Sequence, residues 1–182
     1  ILVGGSIFLN LPIPLTAAQI LWVNFITDSL PTISLSYEDE KSSSKSIRDK
    51  ISRKSIFDKQ MKFLVWVVGL LTSLLMFALH IVLIKTGSDE GLVKTFIFAS
   101  FGTYTLFLIF SIRSLNKNIW QYNPFDNSFT NFASFVGLAL MLLAIYNPLL
   151  QNLLSTKSLP PVWISAVFLV GLLCLAMVEI GK

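Results

Sequence analysis

Asn24, Thr27 and Asp28 place a carboxamide, a hydroxyl and a carboxylate at positions i, i+3 and i+4, which share one face of an α-helix. All three lie within an apolar run from Leu15 to Tyr37 that is long enough to cross a bilayer. An ionisable side chain inside such a span costs at least ~2.5–3.5 kcal/mol on insertion scales, so its presence points to function. Pro31 lacks an N–H, so the carbonyl of Thr27 loses its helical partner. A helix opened in this way is tolerated in a membrane only where protein buries it or where it lines a wet cavity. Side-chain oxygens beside freed carbonyls are the environment that a hard cation takes. The same ten residues, Trp22 to Pro31, also fit a bland structure: a proline-kinked helix whose polar groups pair with a neighbouring helix.

The elements that must position these groups follow from hydropathy. The chain is 54% hydrophobic and 13% charged, and its apolar residues come in runs near twenty long. That composition predicts an all-α, polytopic membrane helical bundle. Ile1 to Leu9 reads as the end of a truncated helix, and Asn10-Leu11-Pro12-Ile13-Pro14 as a turn. Five full transmembrane helices are expected: Leu15–Tyr37, Leu64–Ile84, Leu92–Ile112, Phe129–Tyr146 and Val162–Ile180. Residues 38–62 form a loop rich in Lys and Arg, and 113–127 a second connection. Eleven of the 14 Lys and Arg fall on the side of these two loops, which predicts that 38–62 and 113–127 face the cytoplasm. The net charge of +4 therefore marks loops near anionic lipid headgroups and implies no nucleic-acid partner. The single cysteine, Cys174, sits deep in an apolar run and excludes a disulfide framework or a thiolate metal site.

Two further ionisable residues read as structural. His80 has no acidic neighbour in sequence and is expected to be interfacial or packed rather than a proton relay. Glu179, close to Lys182, is expected to reach headgroup water.

The stretch Pro14-Leu15-Thr16-Ala17-Ala18-Gln19-Ile20-Leu21-Trp22-Val23-Asn24-Phe25-Ile26-Thr27-Asp28-Ser29-Leu30-Pro31 resembles the sixth transmembrane helix of the type II P-type cation-transporting ATPases, and the calcium pumps most closely. In that family the helix unwinds at a Thr-Asp-Gly-x-Pro segment, and its Asn, Thr and Asp bind the transported ion. The resemblance implies those roles for Asn24, Thr27 and Asp28. Ser29 stands where the family usually has Gly. The sodium pumps are similar through Pro31 to Glu38 but carry Asp where this chain has Asn24, which favours the calcium-like branch. The resemblance makes residues 1–182 the C-terminal membrane domain, from the end of helix five through helix ten, with the fifth helix's own ion-binding carboxylate just before Ile1. It also implies contact between loop 38–62 and a phosphorylation domain. Phe107 falls where two-site calcium pumps carry a carboxylate ligand, so one transported cation per cycle is expected.

The Asp-Lys-Thr-Gly of phosphoryl transfer is absent, since Asp49-Lys50-Ile51 and Asp58-Lys59-Gln60 share only two letters with it. ATP and Mg2+ are therefore expected to act only through upstream domains, and a start at Ile1 without Met reads as a piece of a longer protein. The transported cation is expected to be Ca2+, with Mn2+, Mg2+ or Na+ compatible with similar ligands. Two other classes stay open on residues alone: an ATP-independent transporter or channel, and a non-transporting membrane scaffold.

Overall fold

A computed structural model describes residues 1–29, 33, 66, 69–112, 119–121, 123 and 125–181, apart from the side chains of residues 26–28 and 112. Among these there is no strand. Helix α1 (Leu2–Phe8) ends in a tight turn in which Asn10 takes a positive φ of 53°, a conformation that Asn adopts more readily than most residues. Helix α2 (Ala17–Trp22) follows the two-proline turn and passes directly into a π-helical segment, Val23–Asp28. Helices α3 (Gly69–Lys85), α4 (Glu90–Ile112) and α5 (Ser128–Tyr146) come next. The short α6 (Pro148–Leu154) and the long α7 (Pro161–Gly181) complete the chain.

Three described helical stretches are long and apolar enough to cross a membrane: Glu90–Ser111, Ser128–Tyr146 and Pro161–Ile180. Helix α3 is equally apolar but has 17 described residues. The expected count of five full spans is thus not reached within the described residues. Loop 38–62 lies outside them.

Helix α4 is the centre of the bundle. Thr95 to Ser100 is buried without interruption, all but Phe96 completely, as expected of a helix that is apolar on every side. Its largest partner is α7, and α3, α5 and the π-helical segment also pack against it. Lipid offers no hydrophobic drive to bring helices together, so small residues and shape set the contacts. Gly171 of α7 shows this, because a Cβ there would meet Thr103 Cγ2 at 3.1 Å and the Phe107 ring at 3.2 Å. Phe96 and Trp163 add an edge-on pair between the same helices, with centroids 5.5 Å apart. Replacing Gly171 with Leu is expected to push α7 off α4 at a cost of about 1–3 kcal/mol. A lower inactivation temperature for Gly171→Leu, with Gly171→Ala falling between it and wild type, is the result to look for.

One end of the bundle is pinned by polar contacts. Asn147 caps α6 by accepting from the backbone N–H groups of Leu149 and Leu150, and Pro148 occupies the first helical position. The Thr156 hydroxyl donates to the Ala144 carbonyl at 2.6 Å, and the Tyr146 hydroxyl to the Leu159 carbonyl at 2.9 Å. Lys157 donates to both carboxylate oxygens of Asp89 at 2.8 and 3.0 Å, and its backbone N–H donates to Thr95 Oγ1. The Lys157 ammonium holds the exposed Asp89 carboxyl below its usual range. That contact is therefore complete above the ordinary carboxylate pKa and is lost as pH falls through the lowered value.

Candidate functional site

The helix that carries the candidate ligands is started by a capping box. Gln19 N–H donates to Thr16 Oγ1 at 3.2 Å, and Thr16 N–H donates to Gln19 Oε1 at 2.9 Å. Two orphan donors at the helix start are satisfied reciprocally, which fixes where the helix begins. Gln19 is fully buried, and its Nε2 and the indole Nε1 of Trp22 are buried without a hydrogen-bond partner among the described residues.

From Val23 the winding widens. The α-helical i→i+4 pattern gives way to the i→i+5 pattern of a π-helix through Asp28, a rare conformation that recurs at functional sites. The sequence places the disturbance at Pro31, which lies outside the described residues; the π-helical winding begins eight positions earlier. A wider turn changes the register assumed above: positions i and i+4 come nearer to alignment, and i+3 is carried further round. Val23, 1% exposed, anchors the segment against α4 and α5. Asn24 and Phe25 are exposed. Thr27 and Asp28 belong to the π-helical backbone, but their side chains lie outside the described residues. The three candidates thus share one π-helical segment, and their side-chain geometry is described for Asn24 alone.

Ser29, at the usual glycine position, has a specific consequence. Its hydroxyl donates to the Asn24 carbonyl at 3.2 Å. A glycine would leave that bond unmade, so the serine ties one carbonyl of the widened turn.

The neighbouring helices supply few oxygens. The Tyr104 hydroxyl pairs with Thr72 across α4 and α3, the interhelical role expected of a hydroxyl in a membrane bundle. Phe107 packs against Gly171 and Phe168, with ring centroids 6.3 Å apart in the latter pair. Its position in α4 is filled by hydrocarbon. Among the described residues no group of three His, Cys, Asp or Glu converges on a metal-sized space.

Two ionisable residues outside the segment are placed by the structure. His80 is fully buried, and its Nε2 lies 2.9 Å from the Pro12 carbonyl. Because a carbonyl only accepts, Nε2 carries the proton, and the ring ties α3 to the Pro12–Pro14 turn. The expectation of a packed histidine agrees with this. Glu179 corrects the sequence reading. It is 6% exposed and accepts hydrogen bonds from the Ser111 hydroxyl and, at 2.8 Å, from the Ile119 backbone N–H. Headgroup water is replaced by two protein donors, which a buried carboxylate requires. Both lie 60 or more residues away in sequence, so local pattern gave no sign of them.

Fold and segment together define an integral, multi-pass membrane domain, helical without strands among the described residues, whose loosened helix carries oxygen-bearing side chains. Residues 12–182 match the family model described as cation transporting ATPase, C-terminus, and the chain belongs to that family. It is 29% identical over 160 residues to a calcium-transporting ATPase of Bacillus subtilis, covering 86% of this chain and 18% of that protein. It is 31% identical over 163 residues to calcium-transporting ATPase type 2C member 2 of Rattus norvegicus, covering 87% and 17%. Calcium-transporting ATPase 1 of Saccharomyces cerevisiae is 29% identical over 166 residues, again 87% and 17%. The chain spans less than a fifth of the length of these relatives.

Proposed function

We propose that this chain is the C-terminal membrane domain of an ATP-driven P-type pump for Ca2+, and that Val23–Asp28 forms part of the transported-ion site. Asp28 supplies the negative charge, and Asn24 and Thr27 supply neutral oxygens. The observation that carries this reading is the change from α- to π-helical winding across these three positions, in a run whose sequence is expected to cross the bilayer. Widened backbone plus a carboxylate is a costly combination in a bilayer unless a cation uses it. The relatives' names support calcium over the other ions.

The finer layout follows. Five spans and the end of a sixth cross the bilayer, with 38–62 and 113–127 in the cytoplasm. ATP and Mg2+ act through upstream domains, and loop 38–62 carries the signal between those domains and the ion site. Phe107 removes the oxygen that a second site would need, so one ion crosses per ATP.

Transport by the full-length protein in sealed vesicles, with Ca2+, Mn2+, Mg2+ and Na+ offered singly, tests the ion and the stoichiometry. The expected result is Ca2+ uptake at one ion per ATP. Uptake of Na+ in preference to Ca2+, or two Ca2+ per ATP, would count against it.

A further inference from the structure

The turn that leads into the candidate ion-site helix has little backbone structure of its own. Pro12 and Pro14 lack an N–H, and among the described residues 12–15 make no hydrogen bond to another backbone group. A side chain holds the turn instead. His80 Nε2–H donates to the Pro12 carbonyl at 2.9 Å, across 68 positions of sequence. The imidazole is fully buried, and its Nδ1 has no hydrogen-bond partner among the described residues. The ring therefore commits its one N–H to Pro12. His80 belongs to the buried stripe of α3, two turns on from Thr72 and one from Met76.

From Pro12 to the π-helical segment the chain has few ways to bend. Each proline fixes its own φ and restricts the residue before it, which constrains 11–14. Leu15 is buried in the same core as Met76 and Val23. The capping box of Thr16 and Gln19 sets the first turn of α2, and its six residues run directly into Val23. The π-helical segment in turn packs on α4 and α5. The candidate ligands are thus located from two points: Pro12, held by α3, and Val23, held by α4 and α5.

We propose that His80 is a positioning residue for the cation site. By holding Pro12 it sets how far along the bundle Asn24, Thr27 and Asp28 stand, and through that the affinity for the ion. This role rests on the ion-site reading of Val23–Asp28. A neutral ring donor suits it, because it ties the carbonyl without placing another charge in the bundle interior. With the bond removed, a smaller fraction of molecules holds the segment in its binding arrangement, and apparent affinity falls by that fraction.

The test uses the full-length protein in lipid nanodiscs and follows ATP hydrolysis as Ca2+ is raised. His80→Phe keeps a ring but has no donor. It should raise the half-maximal Ca2+ about tenfold and leave the rate at saturating Ca2+ within about twofold of wild type. His80→Gln, whose amide reaches about as far as Nε2, should restore affinity to within about twofold. His80→Asn is one methylene shorter, falls short of Pro12, and should be as weak as Phe.

Wild-type affinity in His80→Phe and His80→Asn would overturn the proposal. So would a Gln variant as weak as Asn, which would assign the effect to the shape of the ring rather than to its bond. A lower saturating rate with affinity unmoved would overturn it too, as the mark of a general structural role. Gln and Asn share one chemistry, so their comparison decides the matter even if the Phe protein does not accumulate. Asp28→Ala, measured alongside, keeps the two readings apart. Unchanged affinity there overturns the ion-site assignment, whereas a weakened Asp28→Ala beside a normal His80→Phe overturns the role of His80 alone.

Discussion

Asp28→Ala in the full-length protein is expected, on the proposed ion-site role, to raise the Ca2+ concentration for half-maximal phosphorylation by at least a hundredfold, about 2.7 kcal/mol. The magnitude follows from electrostatics. Two unit charges 4 Å apart attract by about 4 kcal/mol at an effective dielectric of 20, and a divalent ion on a carboxylate is closer and more highly charged. A hundredfold change is therefore the lower end of what removing the charge should do. Asp28→Asn separates charge from shape, because it keeps an oxygen in place and loses the negative charge. If Asp28 serves as the counter-charge, the Asn variant should lie within about threefold of Ala. If Asp28 merely accepts a hydrogen bond from a neighbouring helix, Asn should restore near-normal affinity, and the site assignment fails. Thr27→Val and Asn24→Leu remove neutral oxygens only and should each cost about tenfold, or roughly 1.4 kcal/mol.

The large elements were legible in sequence because the membrane makes them so. Expected spans at 92–112, 129–146 and 162–180 appear as Glu90–Ile112, Ser128–Tyr146 and Pro161–Gly181. Their ends are marked by residues with a clear local role. Asn127 accepts from the backbone N–H groups of Phe129 and Thr130, and Pro161 opens the last helix. Hydropathy does not reveal α6, since seven residues are too few to register, although Asn147-Pro148 is a cap followed by a first-turn proline. The π-helical winding at Val23 was not legible, since helical period read from side chains cannot distinguish a hydrogen-bond pattern of i→i+5 from one of i→i+4 over six residues. Proline drew attention to the later end of the segment, while the backbone widens from the earlier end. Glu179 was misread for a different reason. A carboxylate at the end of an apolar run looks interfacial, and only the three-dimensional approach of Ser111 and Ile119 shows otherwise.

That carboxylate makes the second strong prediction. Glu179 joins the ends of α7 and α4 to the short 3₁₀ turn Ile119–Gln121, so it closes the 113–127 end as Lys157 closes the other. Hydrogen bonds to a charged acceptor contribute about 1.5–3 kcal/mol each, and Glu179 accepts at least two. Glu179→Leu removes both of these bonds at once, so a loss of about 3 kcal/mol or more is expected. Glu179→Gln keeps one carbonyl oxygen but turns an amide N–H toward the other donor, and should fall between Leu and wild type. The measurement is the temperature of half-inactivation of the full-length protein in detergent, with Ser111→Ala alone and combined with Glu179→Leu. If the two groups act through one another, the double variant should lose less than the sum of the singles. A Glu179→Leu protein as heat-resistant as wild type would show that headgroup water serves this carboxylate as well as protein does.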